Sequence, residues 1–180
     1  VASFRLSLVG NSMFFPDTGG VLVANPLRSP EAIISALETF PDELGRVIFG
    51  GDDPDALNRP ASDGGWGVVE ILPHLSDWEE IYAERARKLA EEEKPYLPGF
   101  DDTLWSIERD YRGQDPEETF ERFRALREAT VGFLRSLPDE AWSRTGEHGY
   151  YGEVTLQWLT DHVVDHDQEH LQQARDALAA

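Results

Sequence analysis

Residues 162–170 read HVVDHDQEH, inside a longer stretch at 155–178 that reads TLQWLTDHVVDHDQEHLQQARDAL. Apolar residues recur there at three-to-four spacing, which predicts a helix from near Thr155 to Leu178. Three of the chain's five histidines fall in nine residues of it, each four apart. With ~100° of rotation per residue and Leu156 as origin, Val163, His170 and Ala174 lie within ~40°. His166 lies ~80° away and His162 ~120° away, so His170 faces inward, His166 flanks it and His162 turns to the edge. Asp167 falls ~20° from the origin, in the middle of the apolar face.

Distance adds a second constraint. Residues four apart on a helix rise ~6 Å and residues eight apart ~12 Å, while a metal–imidazole bond is ~2.0–2.1 Å. His166 and His170 can share one ion; a third histidine has to come from another helix. The candidate is His74 in EILPHLSDW (70–78), on a stripe with Ile71, Trp78 and Ile81. A lone histidine there reads as a core residue with a hydrogen bond. Beside an inward pair on a second helix it reads as the third ligand of a metal site.

The other helices are capped in recognisable ways. SPEAIISALETF (29–40) has Ser29 as N-cap and Pro30 at the first helical position, and Pro41 predicts a kink or split. GGDDPDALNRPASDGG (50–65) is a loop. A second helix is expected from about Gly67 to Glu93, bent near Pro73. A third opens at Asp115–Pro116, with Glu117 and Glu118 in its first turn. Residues 103–112 read as a short helix or loop, 136–142 as one helical turn, and RTGEHGYYGE (144–153) as a Gly-rich loop. Four long helices imply an all-α four-helix bundle over residues 27–180. Residues 1–26 form an irregular extension, a short hairpin or an extended arm.

Composition narrows the function. With 16 basic against 35 acidic residues the formal charge is −19, which opposes binding to nucleic acid and to anionic membranes. There is no cysteine, hence no thiolate ligand and no cysteine nucleophile. No apolar run reaches the ~18 residues of a membrane span. The first residues lack the charged and apolar regions of a signal peptide, so a cytoplasmic location is expected.

His148, in the loop before the last helix, reads either as an exposed histidine or as a proton donor facing the site. Asp167 on the apolar face needs a partner. Two are open: a ligand histidine that it orients, or an arginine from another helix such as Arg122 or Arg127. Glu70, one turn before His74, is a further candidate for orienting that ligand. The H-E-x-x-H metalloprotease motif is not met, because Asp167 occupies the general-base position.

WGVVEILPHLSDWEEIYAERARKL (66–89) and YYGEVTLQWLTDHVVDHDQEHLQQ (150–173), in that order, resemble the DinB-like superfamily of metal-binding four-helix bundles, also called YfiT-like. The matching features are a Trp, a helix with E-x-L-x-H-L-x-D, and a G-x-x-T-L segment opening a final H-D-x-x-H-L-x-Q helix. The resemblance spans about residues 27–180 and implies a metal triad of His74, His166 and His170. It further implies one divalent ion (zinc or nickel first, iron or manganese next), sometimes a low-molecular-weight thiol co-substrate, a small-molecule substrate and a homodimer. The expected function is a metal-dependent enzyme that activates a thiol or water for transfer to a small electrophile, with His148 and Asp167 as candidate catalytic groups. A non-catalytic metal- or stress-responsive binding protein and a plain metal-dependent hydrolase stand beside it.

Overall fold

The structure is a computed structural model, and it describes residues 26–179 apart from Asp63 and Thr103. The expected extension at 1–26 thus lies, but for Pro26, outside the described residues. Four long helices form the bundle: α1 (Pro30–Phe49), α2 (Val68–Glu91), α4 (Pro116–Arg135) and α5 (Leu156–Leu178). A short α3 (Trp105–Glu108) lies between α2 and α4. Each of α1 and α5 packs against α2 or α4 and against the other, and α2 packs on both α4 and α5.

The caps at Ser29 and Asp115 act as the sequence predicts, and Thr155 caps the last helix in the same way. Ser29 Oγ accepts from Ala32 N at 3.3 Å, Asp115 Oδ1 from Glu118 N at 2.9 Å and Thr155 Oγ1 from Trp158 N at 3.0 Å. Each satisfies a backbone donor that the first turn leaves open. Helix α2 starts at Gly67, whose N–H donates to Glu70 Oε2 at 3.1 Å. Glu70 also takes Arg112, so it ties down the start of α2 rather than orienting His74. A Cβ at residue 67 would run into the carbonyl oxygen of Arg59, which is backbone and cannot swing away. Gly67→Ala is therefore expected to lower stability by ~1–3 kcal/mol in urea denaturation, because the loop must shift off the helix. A loss below ~0.5 kcal/mol would mean that the close approach does not matter.

Pro41 does not split α1, which runs unbroken from Pro30 to Phe49. A proline inside a helix leaves the carbonyl four residues earlier without its donor. That carbonyl belongs to Leu37, and Arg127 Nη1 from α4 donates to it at 3.4 Å. The lost bond is replaced from across the bundle.

The segment expected as a Gly-rich loop is instead a β-hairpin, joined by one more strand into a three-stranded sheet. β1 (Tyr96–Leu97) pairs in parallel with β2 (Thr145–His148), and β2 pairs antiparallel with β3 (Gly152–Thr155). The chain reverses between His148 and Gly152, where Gly152 takes φ +72°, a left-handed conformation open to glycine. The hairpin leads straight into the Thr155 cap of α5 and holds His148 against the bundle end.

Two apolar cores fill the bundle. One contains Leu37, Tyr82, Val131 and Val163; the other contains Phe40, Leu75, Phe123 and Leu171. Between them, on three helices, lie the buried Glu79, Arg127 and Asp167. Among the described residues no helix is long and apolar enough to cross a membrane.

Candidate metal centre

Helices α2 and α5 bring His74, His166 and His170 together, and all three are buried. His74 Nε2 stands 3.3 Å from His166 Nε2, and His170 Nε2 stands 3.1 Å from the same atom. Two nitrogens bound tetrahedrally to one ion at ~2.0–2.1 Å are themselves about 3.3 Å apart, so this spacing suits a shared metal.

The protonation of the rings agrees. His170 Nδ1 lies 2.8 Å from Gln173 Oε1, an acceptor, so Nδ1 carries the proton and the Nε2 lone pair faces its neighbours. Burial, and then the neighbouring His170, push His74 and His166 well below their ordinary pKa. Burial also pushes His170 down, against the Gln173 bond. Neutral imidazoles that turn their Nε2 lone pairs toward one point at this spacing are held together best by a cation between them. Trp66 edges onto His74 at 5.0 Å between ring centroids and Tyr82 onto His166 at 5.8 Å, which limits water on those sides.

Asp167 is placed away from the triad's bonds. Of its two open partners it takes an arginine: Arg127 Nη1 donates to Oδ2 at 2.6 Å and Nη2 to Oδ1 at 3.0 Å. Arg122 pairs instead with Glu80 and Asp77. Burial pushes the Asp167 carboxyl up to about 6 against the pull of Arg127. Both Asp167 oxygens are thus engaged by the Arg127 guanidinium, the arginine pairing that the sequence leaves open.

His148 lies in the wall of a cavity of about 90 Å³ that also reaches His74 and His166. Tyr150 N donates to its Nδ1 at 3.1 Å, which puts the ring proton on Nε2. Burial, then Arg85 and His162, lower its pKa to about 4. It is a neutral histidine with an N–H to offer. His162 is half-buried, stacks on Trp158 with ring centroids 5.3 Å apart, and lines the same cavity outside the triad.

Sequence reasoning did not find Tyr82, Arg85 or Gln173 as site residues. Gln173 was within reach, since i, i+3 places it on the face of His170. Tyr82 and Arg85 had only a helical stripe to mark them, and a stripe does not say which of its members faces a cavity.

The comparisons with known proteins agree with this fold. A solved structure, described as "YfiT from Bacillus subtilis is a probable metal-dependent hydrolase with an unusual four-helix bundle topology", superposes with a TM-score of 0.76 at 22% identity, covering 91% of each chain. In sequence, the Bacillus subtilis protein named "Putative metal-dependent hydrolase YfiT" is 28% identical over 139 residues, 77% of this chain and 78% of its own. An Oceanobacillus iheyensis protein, also named a "Putative metal-dependent hydrolase", is 22% identical over 146 residues, 81% of this chain and 83% of its own. The profile of the DinB superfamily matches residues 28–174, from just before α1 almost to the end of α5. A match that takes in all four helices and all three histidines makes this chain a member of the DinB superfamily.

Proposed function

We propose that this protein is a divalent-metal-dependent enzyme that activates a small nucleophile for attack on a small electrophile in the cavity beside His74 and His166. The observation that carries the reading is the convergence of three buried, neutral imidazole nitrogens at 3.1–3.3 Å. A divalent ion held by three neutral imidazoles keeps its full charge and an open position, and it lowers the pKa of a water or thiol near neutral pH. Zinc and nickel are among the ions that imidazole ligands suit.

The chain's own residues do the rest. Gln173 fixes the His170 tautomer. His148 offers its Nε2–H as a hydrogen-bond donor to the oxygen that gains charge. Trp78, Trp158 and Tyr151 give the cavity aromatic walls. Water is the first nucleophile, because relatives that cover most of both chains carry the name of metal-dependent hydrolases. A low-molecular-weight thiol is the second, and one experiment separates them.

Protein purified without a nickel column is expected to hold about one ion per chain, lost in His170→Ala. Ester turnover without thiol, and turnover of a thiol with monochlorobimane, are then measured side by side. His166→Ala is expected to lower the active one by at least ~10²-fold. If wild type holds no ion and gains no thermal stability from zinc, nickel or manganese, the metal site is refuted. If it holds an ion but turns over neither pair, the reading passes to a non-catalytic metal-binding protein.

A further inference from the structure

We infer that Arg85 is the anion-binding residue of the cavity, and that the substrate carries a carboxylate or similar oxyanion there while its reacting centre lies at the histidine triad. The inference rests on reading the triad as the reaction centre. Arg85 follows His74 on α2, and both line the same cavity.

Arg85 is only 5% exposed. One of its five N–H groups donates to the carbonyl of Pro98, from Nη2 at 2.7 Å, and its buried Nε has no partner. Among the described residues no carboxylate pairs with it. That is unusual in a chain with 35 acids and 16 bases. The contrast is Arg127, equally buried, which holds both Glu79 and Asp167. A buried charge is costly unless paired, and burial does push the Arg85 guanidinium down. A site that keeps a guanidinium inside with no acid among the described residues has donors ready for a partner from outside them.

The shape of the site points the same way. The guanidinium carbon lies 5.6 Å from the Trp78 ring centroid and 5.4 Å from that of Phe100, so two aromatic faces hold it. A planar guanidinium fixed like this matches the two oxygens of a carboxylate. Trp78 bridges the distance to the triad, its ring 6.2 Å from that of His166. Tyr82, Tyr151 and the His148 Nε2–H add donors to the wall. Asp102, the acid among the lining residues, already accepts from Trp78 Nε1 at 2.9 Å. The overall charge of −19 repels anions at long range, so an anionic substrate needs this local cation.

The test is calorimetric titration of the full chain, metal-free and zinc-loaded, with benzoate and butyrate against benzamide and butyramide, and with inorganic phosphate. The metal-free wild type is expected to prefer each acid over its amide by about tenfold or more. Arg85→Gln and Arg85→Met should each erase that preference and keep the zinc content. Equal binding of acid and amide by the wild type overturns the assignment, and it needs no variant to be read. A folded Arg85→Gln or Arg85→Met chain that keeps the preference also overturns it. Tighter binding of phosphate than of benzoate upholds the site and assigns it to a phosphoryl group; the reverse order upholds it and assigns it to a carboxylate. Acid preference in the metal-free chain together with no turnover refutes the enzyme reading alone. Turnover of neutral esters with no acid preference refutes the Arg85 assignment alone.

Discussion

Arg127→Met is expected to lower the stability of the fold by about 3–5 kcal/mol, a large part of what a domain of this size has. Arg127 is 2% exposed and its guanidinium lies against the rings of both Phe40 and Phe123. It pairs with Glu79 at 2.8 Å and with Asp167 at 2.6 Å, and it covers the Leu37 carbonyl that Pro41 leaves open. Its removal strands two carboxylates and a carbonyl between apolar layers. The carboxylates can then be accommodated only by taking up protons, so the variant's deficit relative to wild type should shrink as pH falls toward 5 while both are still folded. Replacing all three charged groups by leucine is expected to restore much of the loss, because the desolvation penalty goes with the charges. Urea denaturation followed by circular dichroism measures each variant. A single Arg127→Met loss under ~1 kcal/mol would show that the polar layer is hydrated or otherwise satisfied.

The metal-free protein is expected to lose stability steeply as pH falls below 6.5. Burial is the largest cause lowering the pKa of all five histidines in the fold. In the unfolded chain they take up protons near their ordinary 6.5, while in the folded chain they stay neutral to lower pH. The unfolded state therefore binds more protons below 6.5, and stability falls with pH until the folded values are reached. For each of His74, His166 and His170 that stays neutral the slope is about 1.4 kcal/mol per pH unit. Asp167 works against this by one proton, since its carboxyl sits near 6 in the fold against an ordinary 3.8. Three triad histidines outweigh one carboxyl, and the net sign is loss. Zinc should add stability at pH 7.5 and keep that increment below 6.5 until the lowered folded values are reached, because the imidazoles of the fold are already unprotonated there. Denaturation midpoints at pH 7.5, 6.5 and 5.5 with and without zinc test both parts. A flat metal-free profile would mean that the histidines titrate as freely inside as outside.

Some of this protein can be read from neighbours along the chain. The caps at Ser29, Asp115 and Thr155 act within one helical turn, so a local pattern suffices to find them. The same holds for the split among the three clustered histidines: a rotation per residue puts His166 and His170 inward and leaves His162 at the edge, where it stacks on Trp158. The hairpin at Thr145–Thr155 escaped that reading, because Gly-rich strands of four residues carry little apolar alternation and gain their order from pairing with Tyr96–Leu97. Pro41 escaped it too. Its cost depends on whether a donor reaches the Leu37 carbonyl, and the donor lies 90 residues further on.

Local periodicity thus told of four long helices, their starts, and a histidine pair able to share an ion, because each of these is settled by residues three or four apart on one helix. Helix packing settled the rest. It set His74 against His166 across 92 residues, chose Arg127 over Arg122 for Asp167, and left Arg85 buried without an acid among the described residues. Those outcomes turn on where one helix crosses another, and no spacing within a single helix carries that information.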